Sequence, residues 1–261
     1  MLFAIDVGNT NIVLGVFDGD ELTHSWRLAT MRERTADEIG ILVTRLFERG
    51  NIDLARIDGI ILSSVVPPLT RPIEEMAERY FGRAPMTVDP AANTGMPVRY
   101  SPPSDVGADR VVNGVAAYEA YGRANNTPVI VVDFGTATTF DAISGAGEYL
   151  GGVICPGIGI SADALFQRAA RLPRVDVRKP PTVIGETTVT SMQSGLFFGY
   201  VSMVDGIVMR MRAELKDGAR ARCIATGGLA DIIAAETTTI EEVAPDLTLH
   251  GLRLIWRRNL R

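Results

Sequence analysis

Apolar and polar positions along the chain follow two alternating rhythms. LFAIDV (2–7) and NIVLGVF (11–17) are short apolar runs, and DGDE (18–21) turns the chain into LTHSWRL (22–28). This pattern predicts a strand, a small-residue turn, then a hairpin. The period then lengthens. Thr35 predicts a helix N-cap, with Glu38 three residues on completing a capping box. Ile39, Leu42, Val43, Leu46 and Phe47 follow at helical spacing, and Gly50 stands where the helix should stop. A β-rich run, IDGIILSSVVP (57–67), a helix near Thr70 to Phe81 and a short strand, APMTVD, come next. Strands alternating with helices predict an α/β fold.

Four prolines between Pro90 and Pro103 predict an irregular loop, and DVGADRVVNGVAAYEAYG then reads as a helix ending at Gly122. After it the opening pattern returns. PVIVVDFGTATTFDAIS is again an apolar strand, an Asp-x-Gly turn and a second strand, and SGAGE (144–148) leads into YLGGVI. Asp6 matches Asp133 and Gly8 matches Gly135, an offset of 127 residues; Asn9-Thr10 then falls on Thr136-Ala137. Matching strands and turns on both sides of the triplets predict two duplicated α/β subdomains, residues 1–122 and 123–261. GISADALFQRAARL predicts one helix of the second half. VTSMQSGLFFGYVSMVDGIVMRMRAEL predicts a long one, with Gly195, Gly199 and Gly206 near one face. The strand RCIATGG, a helix from about Leu229 and a C-terminal helix, LHGLRLIWRRN, complete the reading.

Composition narrows the function. A net charge of −5 argues against a general nucleic-acid binder, which needs a basic surface to displace counterions. No apolar run approaches the roughly 20 residues of a bilayer span. MLFAIDVGN lacks the basic start of a signal peptide. Cys155, Cys223, His24 and His250 are too few and too scattered for a zinc site. The expectation is a cytoplasmic enzyme or switch without membrane or nucleic-acid partners.

Asp133-Phe134-Gly135 spells a protein-kinase signature, but the glycine-rich loop, strand lysine and His-Arg-Asp loop such an enzyme needs are missing. What remains is a pair of Asp-x-Gly turns at strand ends. Each carboxylate projects beyond its strand, where a cation or metal-bound water can sit. Each glycine permits a tight turn whose N–H groups can face a phosphate. One such turn alone is better explained as an ordinary hairpin; the matched pair points to the phosphates of a nucleotide. Thr226-Gly227-Gly228 leaves a side-chain-free surface suited to a nucleoside, and serves equally as a strand–helix connector. In GADR (107–110), Asp109 is a candidate base and Arg110 a fork for an anion. By spacing alone, a solvated first helical turn explains that acidic residue better.

Taken together, DVGNTN (6–11), GADR (107–110), DFGTAT (133–138) and TGG (226–228) resemble type III pantothenate kinase in order and spacing. WRLATMRERTADE, SSVVP, GGVICPGIGI, MQSGLFFGY and LTLHGL extend the resemblance over essentially the whole chain. It implies the architecture of acetate and sugar kinases, heat-shock ATPases and actin: two ribonuclease-H-like subdomains flanking a nucleotide cleft. It also implies ATP-dependent phosphorylation of pantothenate to 4'-phosphopantothenate, the first step of coenzyme A biosynthesis, by a homodimer that uses potassium or ammonium and magnesium. By the same resemblance Asp6, Val7, Gly8, Asn9, Thr10, Asn11, Ile12 and Val13 form a phosphate-binding segment, with Asp6 near the divalent ion or its waters. Thr136, Gly227 and Gly228 also serve ATP, and Asp133 holds the monovalent cation. Asp109 is the general base. Tyr100, Gly107, Ala108 and Arg110 line the pantothenate site, which Thr188, or its neighbour Thr187, reaches from the dimer partner. A kinase for another small alcohol and a regulatory relative are the rival readings.

Overall fold

A computed structural model describes residues 1–260. Its elements run β1 (Leu2–Val7), β2 (Asn11–Asp18), β3 (Glu21–Ala29), α1 (Ala36–Arg49), β4 (Gly59–Ser64), α2 (Pro67–Phe81), β5 (Met86–Thr87) and α3 (Ala108–Ala117). The chain continues through β6 (Val129–Phe134), β7 (Ala137–Ile143), β8 (Tyr149–Pro156), α4 (Ile158–Arg168) and α5 (Thr188–Glu214). It closes with β9 (Arg222–Gly227), α6 (Ala230–Ala234), β10 (Glu242–Val243) and α7 (Leu247–Asn259).

Two compact units result: Met1–Ala116 together with the segment from Leu247 onward, and Ala117–Asp246. The division differs from a cut at residue 122 chiefly in α7, which the sequence reading put in the second half. Leu249, Leu252 and Ile255 are buried in the first unit, and the ring of Trp256 lies so close to Gly59 of β4 that a methyl there would sit 2.2 Å from it.

The duplication is plain in the sheets. The first has strand order β3-β2-β1-β4-β5 and the second β8-β7-β6-β9-β10. In each, three antiparallel strands are followed by two parallel ones. The equivalence slips by one at the turn after the first strand. Gly8 N–H donates to Asn11 C=O (3.0 Å), whereas Gly135 N–H donates to Ala137 C=O (3.0 Å). The second turn is thus one residue shorter. Asp6 pairs with Val13 and Asp133 with Thr139, so past the turns the offset is 126 rather than 127. A constant offset, which set Asn9-Thr10 on Thr136-Ala137, is corrected accordingly.

Local sequence explains most elements. Thr35 Oγ1 accepts from Glu38 N–H (3.3 Å) while the Glu38 carboxylate accepts from Thr35 N–H (2.8 Å), so both halves of the box form. The α1 helix stops at Gly50 as anticipated, but Gly50 has φ −82° and Asn51 takes the left-handed turn at φ 53°. Alternation along β1 and β4 sends Phe3, Ile5, Val7, Ile60 and Leu62 into one core beneath α1 and α2. Phe3, Phe47 and Phe81 meet there with ring centroids 5.1–5.5 Å apart. The matching core of the second unit gathers Ile130, Val132, Phe134 and Phe140 beneath α5 and α6.

Candidate active site

In the first unit the candidate residues collect at the C-terminal ends of β1 and β4. Asp6 is half-buried on the last turnward-facing pleat of β1, opposite the face that carries the core. The turn that follows leaves Asn9 and Thr10 exposed. Thr30 braces it from β3's end: its N–H donates to Thr10 C=O (2.9 Å) and its hydroxyl to Gly8 C=O (2.7 Å). Val7 and Ile12 point their side chains into the core, so within the candidate phosphate-binding segment they offer only backbone.

Ser63 is a residue that sequence reasoning missed. It pairs in register with Asp6 across the parallel strands, it is fully buried, and its Oγ has no hydrogen-bond partner among the described residues. Only the β1–β4 register exposes it; SSVVP by itself reads as a strand end. The next residues carry the site on: Val65 N–H donates to Val7 C=O (3.0 Å), which draws the loop against β1. Gly107 lies over that loop. A methyl added there would sit 3.6 Å from Val65 Cγ1 and 2.5 Å from Asp109 Oδ1, so a side chain at 107 would evict the Asp109 carboxylate. Asp109, on the first turn of α3, is therefore brought close to the loop that follows β4.

Burial dominates the electrostatics of Asp109 and pushes its carboxyl above the usual 3.8, against the opposing pull of the Arg110 N–H (2.8 Å) and the Arg110 charge. Arg110 is 8 % exposed, Ala108 is buried and Asp109 is half-buried, so the turn is only partly open to solvent. Partial burial of the carboxylate thus stands beside the dipole explanation that spacing favoured. Tyr100 lies in the preceding loop, 36 % exposed.

The second unit arranges its strand ends in the same way. Thr226 stands opposite Asp133 as Ser63 stands opposite Asp6. Gly227 has φ +95°, and a methyl on it would lie 2.6 Å from Asp133 Oδ1, so the carboxylate is seated against a bare Cα. Gly157 N–H donates to Thr136 C=O (3.1 Å) and holds the short turn in place. Gly228 is exposed. The helix anticipated after it, α6, is only five residues long, too short to present a helix dipole to a ligand.

Thr188 opens α5. Its neighbour Thr187 is the N-cap, exchanging hydrogen bonds with Thr190 (3.0 and 3.2 Å). Thr188 lines a cavity of about 690 Å³ with Glu186, Ser191, Leu165, Leu172 and Met192. Among the described residues no helix is long and apolar enough to cross a membrane, and no cluster of three His, Cys, Asp or Glu is placed to hold a metal.

A family model for type III pantothenate kinase matches residues 2–210. The chain belongs to the type III pantothenate kinase family. It is 54% identical over 259 residues to the type III pantothenate kinase of Moorella thermoacetica, covering 99% of this chain and 100% of that one. With the Myxococcus xanthus protein of the same name it shares 56% identity, covering 99% of both. Solved structures of the same architecture are far more distant. A Campylobacter jejuni protein assigned to the Baf family of transcriptional activators superposes with TM-score 0.60 at 18% identity, over 99% of this chain and 98% of that one. An inorganic polyphosphate/ATP-glucomannokinase from an Arthrobacter species gives 0.52 at 16%, with coverages of 99% and 98%. At such identities these two establish the fold alone: the two-part α/β arrangement of sugar kinases and their relatives.

Proposed function

We propose that this type III pantothenate kinase family member transfers the γ-phosphoryl group of ATP to the primary hydroxyl of pantothenate, yielding 4'-phosphopantothenate for coenzyme A biosynthesis. The observation that carries this reading is identity above half, over the full chain length, with relatives named for that activity.

Asp109 accepts the hydroxyl proton as the acceptor oxygen attacks. Its desolvated, up-shifted carboxyl suits a base, because proton affinity rises toward that of the group it serves. Arg110, Gly107, Ala108 and Tyr100 hold the acceptor, and Thr188 contributes from the partner of a homodimer. Thr187's use as the helix cap supports Thr188 as the contacting residue. The transition state of phosphoryl transfer is loose, so positioning and charge neutralisation carry most of the acceleration. The turns at 6–13 and at Thr136, with Gly227 and Gly228, cradle ATP.

The donor sets fit the ions expected. A single carboxylate at Asp6, beside the unpartnered hydroxyl of Ser63, suits a magnesium ion held mostly by ATP and water, since magnesium retains much of its hydration shell. Asp133, flanked by hydroxyl-bearing strands, suits potassium or ammonium. When bound, these ions neutralise phosphate charge. The cytoplasmic setting expected of such an enzyme is part of this reading, and the acidic balance of the chain is in keeping with it.

A coupled ATP assay tests the reading. Turnover should require pantothenate, and Asp109→Asn should lower kcat about 10²- to 10⁴-fold while ADP binding persists. Equal turnover with glucose or glycerol, or a near-normal Asp109→Asn rate, would overturn it.

A further inference from the structure

The shared topology gives every residue beside Asp133 a counterpart beside Asp6, which isolates what the second unit adds. Val13 corresponds to Thr139, each opposite its aspartate. Two positions along, Gly15 corresponds to Asp141, and on the third strand Leu22 corresponds to Tyr149. In the first unit this patch is apolar, and Leu249 of α7 covers it: a methyl at Gly15 would lie 2.8 Å from Leu249 Cδ1. In the second unit all three positions are polar. Tyr149 Oη donates to Asp141 Oδ1 (2.7 Å), and Thr139 Oγ1 donates to Asp141 Oδ2 (3.1 Å). Asp141 and Tyr149 are both 0 % exposed. Burying a carboxylate is unfavourable even when it is well hydrogen-bonded, and the first unit shows that this sheet closes without one. Closing this sheet therefore does not by itself require a carboxylate at position 141.

The chemistry of Thr139 says what it is there for. A hydroxyl has one proton and two lone pairs. The proton of Thr139 is directed to Asp141, so its oxygen is left as an acceptor. Directly opposed side chains of an antiparallel pair have Cβ atoms roughly 4.5–5.5 Å apart, so that oxygen shares its space with the Asp133 carboxylate. Thr139 is only half-buried, as a residue facing a ligand would be. We propose that Thr139 Oγ1 is a second ligand of the monovalent-cation site centred on Asp133, and that Asp141, itself braced by Tyr149, is the positioning residue that holds the Thr139 proton away from the cation. This rests on the reading of Asp133 as the cation's ligand.

Thermal unfolding in potassium chloride against choline chloride, at constant ionic strength with ADP and magnesium fixed, tests both levels without using turnover. A bound cation raises Tm with its concentration. Thr139→Val and Asp141→Asn should each raise the potassium concentration for the half-maximal Tm increase about tenfold, the range typical of residues that hold or orient a metal ligand. Thr139→Ser should restore the wild-type value. A potassium half-point within twofold of wild type in both variants, whatever their Tm in choline, would overturn the proposal while leaving Asp133 in place. A wild-type Tm indifferent to potassium, and unaltered by Asp133→Asn, would overturn the Asp133 reading and this proposal with it.

Discussion

Asp109, as the proposed base, would trade stability for chemistry. Its pKa in the folded protein lies above the ordinary 3.8, mainly through burial. The folded state therefore binds that proton more tightly than the unfolded chain does, and stability declines as pH rises from the unfolded value through the raised one. At neutral pH the ionised carboxylate is a liability that asparagine removes, and the amide oxygen of the introduced side chain would still accept from the Arg110 N–H. Asp109→Asn should consequently match or exceed the wild-type Tm at pH 7, with the difference shrinking toward pH 4, as calorimetry at the two values would record. The wild-type kcat/KM profile should in turn show an acid limb above the usual aspartate range, lost in the variant. Asp133-Phe134-Gly135 makes the complementary point about residue-level motifs. Phe134 is a core side chain, Gly135 shapes a turn shorter than its counterpart, and of the three only Asp133 is left for the cation role proposed above.

At the scale of elements, α5 is tied to the α6–β10 connection by one carboxylate. Asp205 accepts from the N–H and hydroxyl groups of both Thr238 and Thr239, at 2.8–3.1 Å. Burial works to raise its pKa, but these donors outweigh it and the net shift is downward. A depressed pKa means the contribution is present above the unfolded value and fades as pH falls through the folded one. Asp205→Ala should cost about 1–2 kcal/mol at pH 7, measured by urea unfolding, and less at pH 3. The elements legible in the sequence are those specified locally. The Thr35–Glu38 box and the alternation of β1 and β6 need no distant partner. The strand anticipated over APMTVD survives as the two residues of β5, whereas β10 exists only as a rung on β9, so no local periodicity announces it. The register slip at the second turn was invisible for the same reason, and with it the correspondence of Gly15 to Asp141. The Asp-x-Gly pair was legible because its residues sit together at strand ends; Ser63 and Thr139 became visible only through pairing.

For the whole molecule, duplication supplies two similar frames, and the second carries the surface on which the proposed homodimer would pack. A methyl at Gly195 or Gly199 of α5 would touch nothing within 4 Å, and Ile184, 83 % exposed, stands beside Val183 just before that helix. Large apolar side chains left in water together mark an association surface. The protein should run in sedimentation at twice its 28.1 kDa chain mass, and Gly199→Arg should shift it to monomer with loss of turnover. A full-activity monomer would contradict the homodimer. The return of α7 to the first unit bears on synthesis as well. Nascent domains ordinarily fold in the order they emerge, but here the leading unit lacks the helix that buries one face of its sheet until Leu249, Leu252 and Ile255 have left the ribosome. The internal unit, one unbroken stretch from Ala117 to Asp246, has no such wait. Translation thus reverses the expected sequence: the internal unit can be finished first, and the sheet made before it is sealed by a helix made after it.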